Sequence, residues 1–148
     1  MSEYVNSVYL DSNVFIFASA SSDAIGEQCI RILTALAKGK IAAVTSLITF
    51  DELFYKLNKL KGFEAAVLFA ENFLAMPNLV LSGVNGGIVG TALAVIKQYK
   101  LAPRDAIHVA TALAHKVGAI VSDDRDFSRV VELNWLNIRE FIKRLEAT

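Results

Sequence analysis

Residues 101–127 read LAPRDAIHVATALAHKVGAIVSDDRDF, and this stretch predicts a helix, a short strand and an acidic loop in succession. Pro103 suits the first turn of a helix, because the N–H that proline lacks would have no partner there. Asp105 follows in the same turn, where the positive end of the helix dipole favours a charged carboxylate. Gly118 is a typical helix stop, and the apolar residues Ala119–Val121 suit a buried strand. The stretch therefore predicts a helix-to-strand unit with an acid at the start of its helix.

The acidic loop after this strand contains Asp123, Asp124 and Asp126. Three acids in four residues repel one another unless a cation or a basic group lies nearby. A solvated acidic turn would explain the loop without any function. The loop, however, leaves the end of an apolar strand, as Asp11 does, and Asp105 opens the helix just before it. This coincidence favours a binding site for a cation.

The first strand is expected at residues 5–10, which are rich in β-branched and aromatic side chains. It ends at Asp11, and either Ser12 or Asn13 could cap a helix that begins near Val14. Ligands of parallel α/β sheets bind at the carboxyl ends of the strands, so Asp11 lies where a site would be. The alternative is that Asp11 only caps the helix.

A helix is expected at residues 47–60, and one of its faces carries Glu52, Lys56 and Lys59. Two interpretations of this face remain open. It is a solvated face with an ion pair between residues i and i+4, or a metal-site carboxylate beside phosphate-binding lysines. Further elements are expected as strands at 41–45 and 79–81 and as helices at 21–38, 63–74 and 88–99. Because strands and helices alternate, the chain predicts a three-layer α/β fold, with residues 1–148 as one domain.

The composition limits the possible functions. Fifteen Lys and Arg balance fifteen Asp and Glu, which excludes a strongly basic binder of nucleic acid and leaves a local site. Apolar residues make up 54% of the chain and the mean hydropathy is +0.43, so we expect a second copy to cover apolar surface in a homodimer. No apolar run would span a bilayer, and the start at Met1 lacks a basic signal-peptide region, so we expect no membrane association and a cytoplasmic protein. Cys29 is the single cysteine and suits packing.

Four blocks of the chain, in this order, resemble the PIN-domain nucleases, and in particular the small single-domain ribonucleases of the VapC toxin type. The resemblance extends from Val8 to about Ile138 and implies a PIN-like domain with a short, mostly parallel central sheet flanked by helices. The four blocks are Asp11-x-Asn13, the helix start at 45–53 with Glu52, Pro103-Arg104-Asp105-Ala106-x-His108-x-Ala110, and Val121-Ser122-x-Asp124-x-Asp126-Phe127.

The resemblance implies an acidic pocket that holds Mg²⁺ or Mn²⁺ and cleaves RNA. Its implied catalytic acids are Asp11, Glu52, Asp105 and Asp124. Its implied metal ligands are Asp11, Asp105, Asp124 and Asp126. Its implied supporting residues are Asn13, Ser122 and Asp123. Which of the three loop aspartates is the fourth acid stays open, because Asp124 follows the hydroxyl residue by two positions while Asp126 directly precedes Phe127.

The chemistry of such a pocket is consistent with these residues. Mg²⁺ prefers hard oxygen ligands, and a metal-bound water is acidic enough to attack a phosphodiester. Candidate phosphate-binding residues are Arg104, Lys56, Lys59 and Lys116. His108 could act as a general base, although a histidine on an alanine-rich helix is more often packed and hydrogen-bonded.

Two alternative functions remain open. A haloacid-dehalogenase-like phosphatase also begins with a strand that leads into an aspartate, but it usually has a second aspartate where this chain has Asn13. A catalytically inactive PIN-like module that binds RNA or protein would suit the neutral net charge, but all four acids are present. If the toxin resemblance holds, the partner would be a small antitoxin that inserts a basic residue into the acidic pocket.

Overall fold

The computed structural model describes residues 7–147, and its centre is one parallel sheet with the strand order β3-β2-β1-β4-β5. The strands are β1 (Ser7–Leu10), β2 (Ala42–Ser46), β3 (Leu79–Ser82), β4 (Ala119–Val121) and β5 (Asn134–Leu136). The α-helices are α1 (Ser12–Ala20), α2 (Ala24–Ala37), α3 (Ile48–Lys61), α4 (Phe63–Leu74), α5 (Gly86–Tyr99), α6 (Pro103–Ala114) and α7 (Ile138–Glu146). A short 3-10 helix, Arg125–Arg129, lies between β4 and β5.

Alternate side chains of each strand point to opposite faces of the sheet. Both faces carry apolar side chains, and helices cover both of them. Val8 and Leu10 of β1 are fully buried in one apolar cluster, together with residues of α1, α2, α3, α4 and α7. Tyr9 lies between them in the chain and belongs to the second cluster, which α5 and α6 complete. This arrangement confirms the predicted three-layer fold with a parallel sheet.

The order of the strands brings two predicted parts of the site together. Leu10 at the end of β1 pairs with Val121 at the end of β4, and the backbone N–H of Asp11 donates to the carbonyl of Val121 at 3.1 Å. Asp11 and Ser122 therefore follow neighbouring strands at the same edge of the sheet.

The structure corrects two details of the sequence analysis, the cap of α1 and the elements after the acidic loop, and it leaves the start of the first strand untested. The helix α1 begins at Ser12 and is capped by Asp11, whose carboxylate accepts from the backbone N–H of Ser12, so neither Ser12 nor Asn13 is the cap. The strand β1 begins at Ser7 within the described residues, while positions 5 and 6 of the predicted strand lie outside them. The sequence analysis also missed β5 and α7, because both follow the last motif that it used. No helix within residues 7–147 combines the length and apolar character that crossing a bilayer requires.

Candidate active site

Asp11 is buried at the carboxyl end of β1, with 5% of its surface exposed. Its Oδ1 accepts from the backbone N–H of Ser12 at 2.8 Å, and its Oδ2 accepts from the hydroxyl of Ser122 at 2.7 Å. Burial raises the pKa of this carboxyl group, although the charge of His108 and the Ser122 hydrogen bond oppose the shift. With both oxygens hydrogen-bonded and little surface exposed, Asp11 is poorly placed to be the nucleophile of a phosphatase.

Ser122 connects the first strand to the acidic loop. Its buried hydroxyl donates to Asp11 and accepts from the backbone N–H of Asp124 at 2.9 Å and from the side-chain amide of Asn13 at 3.1 Å. The backbone N–H of Asp123 lies 3.5 Å from the amide oxygen of Asn13. A single hydroxyl thus positions two acids and one amide that belong to different parts of the chain.

Asp105, Asp124 and Asp126 form a compact acidic cluster. One carboxylate oxygen from each of them lies within 4.8 Å of the other two. Asp105 comes from the first turn of α6, as the sequence analysis predicted, and the other two come from the loop after β4. Burial and, after it, the charges of Asp11 and Asp124 together raise the pKa of Asp105 to about 6. A cation placed between these carboxylates would relieve their mutual repulsion.

Two of these acids also hold the loop in shape. Asp124 caps the 3-10 helix, because its Oδ1 accepts from the backbone N–H of Asp126 at 2.9 Å. Asp126 accepts from the guanidinium of Arg129 at 3.0 Å and is half exposed. These local bonds leave the second carboxylate oxygen of Asp124 for another partner, since a carboxylate offers about four lone-pair positions.

The three carboxylates suit Mg²⁺ or Mn²⁺, because hard oxygen ligands with room for water are what these ions prefer. Asp11 stands behind the cluster rather than within it, and its charge still acts on Asp105. The structure therefore brings together Asp105, Asp124 and Asp126 as candidate ligands, with Asp11 behind them.

Glu52 lies on α3 and is joined to the site by a hydrogen bond with His108. The Nε2 atom of His108 lies 2.6 Å from a Glu52 oxygen and 3.4 Å from Asp11, and its Nδ1 atom lies 2.5 Å from the hydroxyl of Tyr9. The Tyr9 hydroxyl also accepts from the backbone N–H of Ser46 at 3.0 Å. When the imidazole is neutral, Tyr9 donates to Nδ1 and Nε2–H donates to Glu52. His108 is fully buried, which agrees with the packed, hydrogen-bonded interpretation of this histidine.

Charges near His108 determine its protonation. Burial lowers the pKa of His108, but the hydrogen bond to Glu52 and the charges of Asp11 and Glu52 outweigh burial and raise it overall. The imidazolium form is therefore favoured by the acids around it. Burial and the charge of Asp11 raise the pKa of Tyr9 well above its usual value, so Tyr9 keeps its proton.

The predicted phosphate-binding residues lie in three different places. Lys56 and Arg104 line a cavity of about 360 Å³ together with Glu52 and Asn13, and Arg104 also lies 3.4 Å from Asp51. The ammonium of Lys59 lies 4.6 Å from the ring centroid of Tyr55.

Lys116 is the exception among these residues. It lies in the turn after α6, two residues before Gly118, whose backbone N–H donates to the carbonyl of Ser7 at the start of β1. The acidic cluster lies at the other end of β1, so the structure does not bring Lys116 to the site.

Sequence reasoning missed two residues that support the site. Tyr9 holds His108 from inside the first strand, and its signal in the sequence is a polar-tipped aromatic residue two positions before Asp11. The indole N–H of Trp135 donates to the carbonyl of Ser122 at 2.9 Å. Trp135 belongs to the missed strand β5, so no pattern connected it with the acidic loop.

Comparisons with known proteins agree with this geometry. The family model described as PIN domain matches residues 8–133. A search of curated proteins finds no match.

Several solved structures share the fold. VapBC2 from Rickettsia felis bound to a promoter DNA fragment is 21% identical, covers 88% of this chain and 98% of its own, and has a TM-score of 0.67. VapC20 from Mycobacterium tuberculosis, a sarcin-ricin loop cleaving toxin, is 18% identical, covers 82% and 92%, and has a TM-score of 0.69. A toxin–antitoxin complex from Klebsiella pneumoniae is 21% identical, covers 85% and 94%, and has a TM-score of 0.62. At these identities the likeness is one of fold.

Proposed function

The chain belongs to the PIN domain family, and on that premise we propose that it is a metal-dependent endoribonuclease of the toxin–antitoxin type. The observation that carries the proposal is the cluster of Asp105, Asp124 and Asp126, whose carboxylate oxygens lie within 4.8 Å of one another beside Asp11. Four acids at one edge of a sheet are costly unless a cation balances them, so their grouping favours a metal site.

In the proposed mechanism Asp105, Asp124 and Asp126 would hold Mg²⁺ or Mn²⁺, and Asp11 and Ser122 would orient these carboxylates. When bound, such an ion supplies an acidified water and offsets charge on the phosphodiester. Glu52 faces the same cavity as Lys56 and Arg104, which puts an acid and two cations where an RNA phosphate would approach. Tyr9 and His108 hold Glu52 in position through hydrogen bonds.

The test is cleavage of a mixture of RNAs by the purified protein. We expect cleavage with Mg²⁺ or Mn²⁺ and none with EDTA. Asp105→Asn keeps the shape of the side chain but removes its charge, and it should lower the rate at least about a hundredfold, more than loss of an outer-shell partner costs. The control variant is Glu64→Gln, which makes the same chemical change on an exposed residue of α4 and should leave the rate unchanged.

The metal should also be detectable without activity. Titration calorimetry with Mn²⁺ is expected to show binding to the wild type and much weaker binding to Asp105→Asn. Cleavage that survives both EDTA and Asp105→Asn would overturn the mechanism.

We also propose two protein partners. The first is an antitoxin that places a basic side chain between the carboxylates of the cluster, since a cation of either kind would relieve their repulsion. The solved toxin–antitoxin complex from K. pneumoniae supports this proposal through its shared fold. The second is another copy of the chain, supported by exposed aromatic residues on α3 and α4.

A further inference from the structure

A second polar cavity of about 470 Å³ lies next to the acidic loop and shares no lining residue with the cavity that contains Lys56 and Arg104. It is bounded by the start of α2, the acidic loop, β5 and the start of α7. The side chains that matter for its chemistry are Gln28, Asp123, Arg125, Trp135 and Arg139. Its volume is large enough for one nucleotide.

The two arginines of this cavity have no carboxylate partner. Neither Arg125 nor Arg139 forms an ion pair with any residue in the part of the chain that the structure describes. Three other arginines do pair with acids, namely Arg31 with Glu146, Arg104 with Asp51 and Arg129 with Asp126. Two unpaired guanidinium groups that line one cavity are suited to an anion, because the planar fork of arginine matches phosphate oxygens.

The acidic loop contributes residues both to this cavity and to the acidic cluster. Asp123 lines it and is the residue before Asp124, so the cavity begins one residue away from the proposed metal ligands. Trp135 is partly exposed in its wall, and the bond from its indole N–H to the carbonyl of Ser122 holds the ring against the loop. A group bound here would therefore lie beside the reacting phosphate.

The other side chains of the wall distinguish between possible ligands. The amide of Gln28 makes no hydrogen bond within residues 7–147, so it can contact the edge of a base. An acidic peptide carries several negative charges, and Asp123 would repel them. A single phosphate group can instead bind to the two arginines of the cavity. An aromatic ring, an amide and two arginines are the groups with which proteins bind unpaired nucleotides.

We propose that this cavity binds one unpaired nucleotide of the RNA substrate, adjacent to the phosphate that is cleaved. Arg125 and Arg139 contact its phosphate, and Trp135 stacks on its base. This inference rests on the proposed ribonuclease function and adds to it a binding site for single-stranded RNA.

The test measures binding separately from cleavage. A fluorescein-labelled single-stranded RNA of 12 nucleotides and mixed sequence is titrated in the Asp105→Asn background, and binding is followed by fluorescence anisotropy. We expect Arg125→Gln/Arg139→Gln to raise the Kd at least about tenfold. The slope of log K against log salt should become shallower by about 1.4, which is two phosphate contacts at about 0.7 each.

The matched control is Lys38→Gln/Lys97→Gln, which removes the same charge from two exposed residues, one just after α2 and one in α5, and should change the Kd less than about twofold. Trp135→Leu tests the base contact and should raise the Kd about 5- to 100-fold, because leucine cannot stack on the base. Circular dichroism melts confirm that each variant is folded before binding is compared.

Each alternative outcome has a definite meaning. An equal Kd for the double arginine variant and its lysine control would overturn the inference and leave the ribonuclease proposal standing. A labelled oligoglutamate peptide that binds this cavity more tightly than RNA, and loses binding in the arginine variant, would also overturn it. Absence of both RNA binding and RNA cleavage in the wild type would instead contradict the proposed function, and the inference with it.

Discussion

The carboxyl group of Asp105 has a pKa of about 6, against an ordinary value of 3.8, because it is partly buried and faces the charges of Asp11 and Asp124. The folded chain therefore holds this proton more tightly than the unfolded chain does. The stabilising effect of the proton is complete below the unfolded pKa and is lost as the pH rises through about 6. Without metal, the ionised cluster at neutral pH is a source of instability.

Replacing Asp105 should reveal how much the charge repulsion in the cluster lowers the free energy of unfolding. In metal-free buffer with EDTA, we expect Asp105→Asn to become progressively more stable than the wild type as the pH rises from about 4 to about 7. Urea denaturation at several pH values measures the difference in the free energy of unfolding. The free energy of unfolding of Glu64→Gln should differ from that of the wild type by a constant amount over the same pH range. A difference between Asp105→Asn and wild type that does not vary with pH would contradict the raised pKa.

At the scale of elements, one chain of hydrogen bonds joins β2, β1, α6 and α3. It runs from the backbone N–H of Ser46 to the hydroxyl of Tyr9, then to His108, and then to Glu52. Tyr9 and His108 are fully buried, so water cannot replace a partner that is removed. The chain of bonds therefore fixes how α6 and α3 lie against the sheet, and with them Asp105 and Glu52.

Tyr9→Phe removes the hydroxyl and keeps the ring. It should destabilise the fold by about 1–3 kcal/mol, because the N–H of Ser46 and the Nδ1 atom of His108 lose their partner in the interior. Chemical denaturation measures this loss. Tyr55→Phe is the matched control, since Tyr55 is 58% exposed, and it should change stability by less than about 0.5 kcal/mol. Equal effects of the two substitutions would show that the buried hydroxyl has no structural role.

Whether a helix, cap or strand could be predicted depended on how much of its sequence signal is local. The acid at the start of α6 was predictable because Pro103 and Asp105 are only two positions apart in the sequence. The cap of α1 was left open between Ser12 or Asn13 and the alternative Asp11, because all three are good caps, and the backbone geometry selects Asp11. The strand β5 has three residues, which is too short for alternation to be recognised.

At the scale of the whole molecule, the surface carries exposed aromatic side chains on α3 and α4. Phe50, Tyr55 and Phe63 are 41%, 58% and 66% exposed. Phe54 lies between two of them, with ring centroids 6.0 Å from Phe50 and 6.1 Å from Phe63. An aromatic surface of this kind favours association with another chain, and it supports the homodimer that was predicted from the apolar composition.

Light scattering should give a mass of twice 16.1 kDa for the wild type at tens of micromolar. Phe50→Ser/Phe63→Ser should give the mass of one chain, because it removes two exposed rings of this aromatic surface. Val89→Ser/Leu93→Ser alters two equally exposed apolar residues on α5 and should remain a dimer. A single-chain mass for the wild type would rule out the homodimer, while a dimeric Phe50→Ser/Phe63→Ser variant would place the interface elsewhere.

The sequence by itself determined the layered architecture and the positions of the acids along the chain. Alternating strands and helices require a parallel sheet between helices, and an acid directly after an apolar strand must lie at the carboxyl edge of that sheet. With the family resemblance, these local signals also selected Asp11, Glu52, Asp105 and Asp124 as candidate site residues.

Only the tertiary structure decided how those residues are arranged. It grouped Asp105 with Asp124 and Asp126, placed Asp11 behind them, joined Glu52 to His108 and Tyr9, and separated Lys116 from the site. It also brought Arg125, Trp135 and Arg139 into one cavity. These distances depend on strand order and on how each helix crosses the sheet, and neither leaves a local pattern in the sequence. Packing of the whole chain sets them, and with them the chemistry that the acids can perform.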